Sequence, residues 1–270
     1  MIPVVFTHRS MQDYVRVAIK QAVKNNPVFL IGDVDPLVDD DNFTFVTPEG
    51  LGSGIGDFSD IYVHLNTTPP DYELFCYTRW FLLRNFMERN GFPVVLYTDS
   101  DVMFFENAEE EWSKFNNCSM TLTHRTSGHT SFITLNGIHH FCNMLTKIYS
   151  DKGGYHFNKI ASHLKVRQEF GLPGGVCDMT LLEYFHYHAE FGGGPGRVGE
   201  MMSIINDSTY DHNINVSDSD YLMENGTKKV EIVNGEVCIY NKRLARNIKF
   251  NSLHFQGGAK NLMQVIYDRL

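Results

Sequence analysis

The chain opens strand, helix, strand with almost nothing between them, and this constrains its fold more than any other feature. Ile2–Thr7 is a short β-branched run. Ser10 reads as an N-cap with Asp13 at the reciprocal capping position. Val15, Ala18, Ile19, Ala22 and Val23 then recur at helical spacing until Asn25-Asn26-Pro27 stops the helix. Val28–Ile31 is a second apolar strand, ending in Gly32-Asp33. Strand–helix–strand with tight connections is the unit of a parallel sheet. The expected class is therefore α/β, a mixed and mainly parallel sheet flanked by helices.

Further along, residues 34–68 are turn-rich and predict a long loop with one short helix. Asp71–Asn90 predicts an amphipathic helix with Leu74, Tyr77, Phe81, Leu82 and Phe86 towards the core, ended by Gly91 and Pro93. Val94–Tyr97 is the next buried strand and runs into Thr98-Asp99-Ser100-Asp101. Met120–Thr123 and Ser131–Leu135 read as strands, and Ile138–Tyr149 and Asp178–His188 as helices. The Gly/Pro-rich residues 192–199 read as a flexible segment. Asn234-Gly235 between two apolar runs predicts a hairpin with a type I′ turn. A last strand ends near Leu253-His254, followed by a Gly-Gly loop and a short helix. No linker interrupts the pattern, so 270 residues read as one domain with two halves, about 1–125 and 126–270.

Composition excludes several classes. With 43% hydrophobic residues the chain can bury a core. Its 23 Lys+Arg against 32 Asp+Glu give a formal charge of −9, the wrong sign for a general nucleic-acid binder. An acidic protein that handles phosphates must cancel charge locally, with a metal ion or a few well-placed cations. Five scattered Cys with no Cys-x-x-Cys pair argue against a structural zinc site or a disulfide framework. No apolar run approaches the roughly 20 residues that span a bilayer, so no transmembrane segment is expected and only peripheral membrane association stays open. The first residues read as a strand rather than a signal peptide, which makes a cytoplasmic location the expectation. On that reading the six Asn-x-Ser/Thr sequons are chance matches.

Two constellations carry chemistry. Asp99-Ser100-Asp101 closes a strand too apolar to be a surface loop, and in open α/β sheets ligands bind beyond the carboxyl ends of strands. Two carboxylates one residue apart on such a turn can face one hard cation and its phosphate ligands. Near the other end stands Leu253-His254-Phe255-Gln256-Gly257-Gly258-Ala259-Lys260. Imidazole suits Mn²⁺ or Zn²⁺, glycine lets the backbone approach a phosphate, and lysine neutralises it as a point charge. Together, Asp99, Asp101 and His254 make a three-ligand metal site with Lys260 as its phosphate clamp.

These residues carry a family resemblance. Tyr77-Thr78-Arg79-Trp80, the strand end Leu-Tyr-Thr-Asp99-Ser-Asp101 and the spacing His254-x-x-Gly257-x-x-Lys260 resemble the GT-A glycosyltransferases, most of all the glycogenin and lipopolysaccharide-galactosyltransferase type. The resemblance implies a GT-A fold and transfer of a sugar from a nucleotide-diphosphate sugar, a UDP-sugar first, to a glycan or other hydroxyl acceptor. It implies Mn²⁺ or Mg²⁺ as cofactor and leans to retention of anomeric configuration. By it, Asp99, Ser100 and Asp101 address metal, ribose and diphosphate, His254 completes the metal site, and Gly257 and Lys260 hold the diphosphate. Arg79 reaches the donor sugar or the Asp-x-Asp carboxylates. Thr7, His8 and Asp33 sit where this fold holds the nucleoside, although Asp33 equally suits a turn cap. Asn261-Leu262 replaces the Pro-Trp that often follows the family's lysine, and Ser127-Gly128-His129 stands in the region of its Asn-Ser-Gly.

Asp178 follows Gly174-Gly175 at a helix start. In GT-A enzymes an acidic residue so placed serves as acceptor base or sugar ligand, whereas the plain reading is an N-cap. Two rival functions remain. An Asp-nucleophile phosphohydrolase prefers Thr or Val where Met103 stands, and its motif opens the chain. A non-catalytic sugar-nucleotide-binding domain would not require the full set Asp99, Asp101 and His254.

Overall fold

The computed structural model describes residues 1–270. β1 (Val4–His8), α1 (Asp13–Ala22) and β2 (Val28–Gly32) form the expected parallel unit, with Val4 opposite Val28. The helix start differs from expectation. Ser10 has a left-handed φ of 63°, and its N–H is spent on the Asp33 carboxylate at 2.7 Å. Gln12 stands at the N-cap instead, without a side-chain cap bond. A tertiary contact between two strand ends has taken the residue that local pattern assigned to the helix.

Residues 34–68 hold more structure than a loop with one helix. β3 (Phe43–Val46) pairs parallel with β2 at the sheet edge, and α2 (Ile55–Ile61) follows. β3 is only half-buried, so it lacks the apolar signal of the central strands. α3 (Pro70–Asn90) ends on Gly91, whose φ of 67° only glycine adopts freely. Trp80, Phe81, Leu82, Leu83, Phe86 and Met87 are all buried, so the helix is enclosed over its later turns rather than on one stripe, and Leu74 is only partly covered.

Next come β4 (Val94–Thr98), β5 (Val102–Phe104), α4 (Ala108–Trp112), β6 (Met120–Leu122) and β7 (Thr130–Thr134). α5 (Leu135–Ser150), α6 (Tyr155–Glu169) and α7 (Asp178–Tyr187) follow. α6 was not read from the sequence, although Phe157, Ile160, Ala161 and Leu164 stand at helical spacing; of these Phe157 and Ile160 are buried and the other two half-buried. Residues 192–199, expected to be flexible, pack closely at their start. A Cβ on Gly193 would stand 2.1 Å from the Phe185 carbonyl, so the chain packs tightly there and leads into β8 (Val198–Glu200).

The main sheet has the order β3-β2-β1-β4-β7-β6-β8, and β7 alone runs against its neighbours. It is the mixed, mainly parallel sheet expected, buried on both faces. Along β4, Val95 and Tyr97 enter the core shared with α3, α5 and α7, and Leu96 enters the core shared with α1. β9 (Ser208–Tyr210) and a small hairpin of β10 (Met223–Glu224) and β11 (Thr227–Lys228) lead to the second sheet. There β12 (Val230–Val233), β13 (Glu236–Asn241) and β14 (Arg246–His254) run antiparallel, joined by β5, before the terminal α8 (Leu262–Tyr267). Asn234 and Gly235 have φ of 54° and 82°, as a type I′ turn requires. The stretches 1–125 and 126–270 interleave, since β5 lies beside β14 while β7 and β8 complete the main sheet. No helix is long and apolar enough to cross a membrane, and all five cysteines are free.

Candidate functional site

β4 is the centre of the main sheet, and its carboxyl end delivers Asp99, Ser100 and Asp101 into a turn closed by the Val102 N–H on the Asp99 carbonyl. β5 leaves that turn and pairs antiparallel with β14, Val102 opposite His254. The Phe255 N–H donates to the Asp101 carbonyl at 2.9 Å, which seats the late motif directly on the Asp-x-Asp turn. Asp101 lies between two partners: His254 Nε2 is 3.5 Å from Oδ1, and Lys260 Nζ is 3.1 Å from Oδ2. Burial raises the Asp101 pKa, but His254 and Lys260 outweigh it and leave the carboxyl below its usual range. Burial lowers His254, and the Asp101 carboxylate more than offsets that, so the imidazole sits above its usual value.

His254 is held from behind. Its Nδ1–H donates to the His212 carbonyl at 2.6 Å, which leaves Nε2 as the nitrogen facing Asp101. Its backbone N–H donates to Asp211, whose other oxygen receives Lys228 at 2.7 Å. This Asp211–Lys228 pair is almost wholly buried. His129 stacks on His254 with ring centroids 3.9 Å apart. Burial, then the charges of His254 and His212, hold His129 far below its usual pKa, and burial and His124 bring His212 to about 4. The neighbours of His254 are therefore neutral rings at physiological pH.

Asp99 has different company. Its Oδ1 accepts from Arg79 at 2.8 Å and from the Tyr97 hydroxyl at 3.0 Å. The other arm of the Arg79 guanidinium reaches Asp178 Oδ2 at 2.7 Å, and Trp80 Nε1 donates to that same oxygen at 3.1 Å. The bond to Asp99 is one of the contacts the sequence reading assigned to Arg79. Asp178 is not the helix cap. Cys177 stands at the N-cap, with its N–H on Thr180 Oγ1 at 3.3 Å, and Asp178 is the first helical residue, turned inward to Arg79. Gly175 makes the approach possible, since a Cβ there would stand 2.2 Å from the Leu65 carbonyl.

Arg79 marks the junction of two clefts. One, of about 490 Å³, covers the carboxyl ends of β1 and β4 and is lined by Thr7, His8, Ser100, Asp101 and Lys260. His8 Nδ1 meets Ser100 Oγ at 2.8 Å, and Thr7 Oγ1 meets the Tyr97 hydroxyl at 3.0 Å. Asp33 is not part of that lining and serves the turn at Ser10. Lys260 projects from a turn that opens at Gly257, where φ is 54°. The other cleft, of about 480 Å³, is lined by Glu73, His129, Gly174, Cys177 and Asp178. Both clefts share Tyr72, Cys76, Arg79, Asp99 and Asp101.

No protein-family model and no curated protein matches the chain. Among solved structures it is similar to mouse Xyloside xylosyltransferase 1, at 8% identity over 74% of this chain and 84% of that one, TM-score 0.47. It is similar to the galactosyltransferase LgtC in complex with donor and acceptor sugar analogs, at 13% identity over 100% and 96%, TM-score 0.49. A glycosyltransferase involved in glycosylation of the major capsid of PBCV-1 aligns at 10% identity over 99% and 100%, TM-score 0.42. The functional reading of this chain rests on its own residues.

Asp101 and His254 are in contact, and their oxygen and nitrogen donors suit Mn²⁺. Asp99, the third residue read as a ligand, has Oδ1 committed to Arg79 and Tyr97, so only Oδ2 is left for a cation. The trio of potential ligand atoms that lie within 4.8 Å of one another is a different one: Glu73, Cys177 and Asp178. Sequence reasoning missed Glu73, His129, Asp211 and Lys228. Glu73 passes for a dipole-matching acid in the first turn of α3, and Asp211 and Lys228 for solvated charges. Nothing local distinguishes them, because only burial makes them unusual.

Proposed function

We propose that the protein is a metal-dependent glycosyltransferase of GT-A type that moves a sugar from a nucleotide-diphosphate sugar, a UDP-sugar first, to a hydroxyl acceptor. The observation that carries this reading is the seating of Asp101 between His254 and Lys260 on one wall of the cleft beyond β4. A carboxylate and an imidazole nitrogen offer a cation two donors, and a lysine beside them offers a diphosphate a counter-charge. Asp101, His254 and Oδ2 of Asp99 would hold Mn²⁺ or Mg²⁺, which when bound stabilises charge on the leaving diphosphate. Thr7, His8 and Ser100 line the nucleoside side of the same cleft.

Arg79 ties the donor carboxylate Asp99 to Asp178 in the second cleft, so the two clefts meet at one buried guanidinium. Because Asp178 is bound there by Arg79 and also by Trp80, it orients rather than accepts a proton, which favours retention of configuration. The hold of Arg79 and Tyr97 on Asp99 Oδ1 leaves one free oxygen, which cannot both hold a cation and attack phosphorus, and this disfavours the phosphohydrolase reading. The test is calorimetry of UDP, GDP and ADP with and without Mn²⁺, followed by turnover of the matching nucleotide sugars. Metal-dependent binding of one diphosphate and release of it from its sugar are expected. Metal-independent binding, or cleavage of simple phosphate esters instead, would overturn the proposal.

A further inference from the structure

Glu73 is 2% exposed and yet incompletely bonded. Its Oε2 accepts from the Thr68 hydroxyl at 2.6 Å, whereas Oε1 is buried without any partner. An orphaned carboxylate oxygen is costly, and native proteins keep few of them. Glu73 lines the second cleft and not the first, and Glu73, Cys177 and Asp178 bring ligand atoms within 4.8 Å of one another. A cation is a poor tenant for that trio. Asp178 Oδ2 is already taken by Arg79 and Trp80, and burial together with Asp178 raises the Cys177 thiol, which disfavours the thiolate that a metal needs.

We propose that Glu73 anchors the acceptor, its Oε1 receiving a hydrogen bond from a hydroxyl of a neutral, hydroxyl-rich molecule such as the end of a glycan. This rests on the transferase reading and names the acceptor class for that site. The neutrality follows from charge. Asp101 is held by Lys260 and His254 on the donor side, which leaves three carboxylates of the cleft wall, Glu73, Asp99 and Asp178, against Arg79 and Arg167, and Arg79 is already paired with two of them. A phosphorylated or carboxylate-bearing acceptor would meet net repulsion, whereas a hydroxyl donates to the free oxygen.

The experiment compares wild type with Glu73→Gln and Thr68→Val, using Mn²⁺, UDP, UDP-galactose and UDP-glucose as donor-side probes. Methyl glycosides serve as neutral acceptor probes and methyl glucuronides as anionic ones. Gln keeps an oxygen for Thr68, so the fold is preserved, and Thr68→Val leaves the carboxylate in place but untethered. UDP affinity by calorimetry is expected within about twofold of wild type in both variants. The KM for a neutral glycoside should rise by about tenfold or more in Glu73→Gln, the loss of one hydrogen bond to a charged group, and by a smaller factor in Thr68→Val.

A pH profile separates binding from structure. Burial raises the Glu73 pKa, Thr68 pulls it down, and Asp178 raises it again, leaving it above the usual carboxyl range. The groups facing it are Cys76 and Arg79 on α3, Cys177 and Asp178 at the start of α7, Tyr62 at the end of α2, Tyr149 on α5, and His64 on the preceding loop. Wild-type acceptor KM should therefore climb as pH falls towards Glu73 protonation, and the Gln variant should lose that limb. An unchanged acceptor KM in Glu73→Gln, or a preference for glucuronides, overturns the proposal, as does a wild type that consumes donor but glycosylates neither probe class. A wild type that neither binds UDP nor consumes the donors overturns instead the transferase reading beneath it.

Discussion

Replacing Lys228 by methionine tests how His254 is held. Lys228 Nζ donates to Asp211 at 2.7 Å and to the Asn213 carbonyl at 2.8 Å, and the Asp211 side chain is 0% exposed. Methionine fills similar space without the charge, so Lys228→Met strands a buried carboxylate whose remaining bond is to the His254 N–H. Breaking one side of a buried ion pair costs about 3–5 kcal/mol, because the surviving charge is left uncompensated. In a chain of this size that is a fall in melting temperature on the order of 10 °C. The loss should spread to the site, since Asp211 sets the backbone of His254, and Mn²⁺ affinity should fall with it. The double variant Lys228→Met/Asp211→Asn keeps an acceptor for the His254 N–H while deleting the charge, and should recover at least half of the stability. Chemical denaturation read by circular dichroism gives both numbers. A single variant within about 1 kcal/mol of wild type, or a double variant no better than the single, would show that the pair does not brace His254.

Asp178→Asn should lower stability by about 1–3 kcal/mol, since it removes a charged partner from buried Arg79 rather than a helix cap, and should lower transfer turnover at least tenfold; an unchanged melting temperature would restore the capping role. Lys260→Ala should weaken UDP binding with Mn²⁺ by about tenfold to a hundredfold in calorimetry, and unchanged affinity would place Lys260 outside the diphosphate site. Because Asp101 raises the His254 pKa, protons compete with a cation for Nε2, so Mn²⁺ affinity should rise with pH through that raised value and level off above it. His254→Gln should flatten this dependence, and a profile identical to wild type would remove His254 from the metal. Product NMR should show the donor's anomeric configuration retained; inversion would call for a free base that Asp178, bound to Arg79 and Trp80, does not supply.

Elements whose signals are local were legible before any tertiary contact was known. β1, α1 and β2 follow from periodicity and tight spacing, β4 from an unbroken apolar run, and the β12–β13 hairpin from Asn234-Gly235. The sequence also contained the two halves of the proposed metal and phosphate site, because Asp99-Ser100-Asp101 and His254-Phe255-Gln256-Gly257 stand out by chemistry and spacing. That those halves touch was decided by a strand pairing between distant segments, β5 against β14, whose register puts His254 opposite Val102. The meeting of Arg79 with Asp178 likewise needed α3 and α7 packed on one face of the sheet. Tertiary contact also overruled local pattern at Ser10, where Asp33 captures the backbone N–H. Glu73, Asp211 and Lys228 show the limit most plainly. A charged residue in a sequence is read as solvated, since desolvating it is costly. Whether a partner or a ligand offsets that cost is a property of the neighbours the folded chain brings to it.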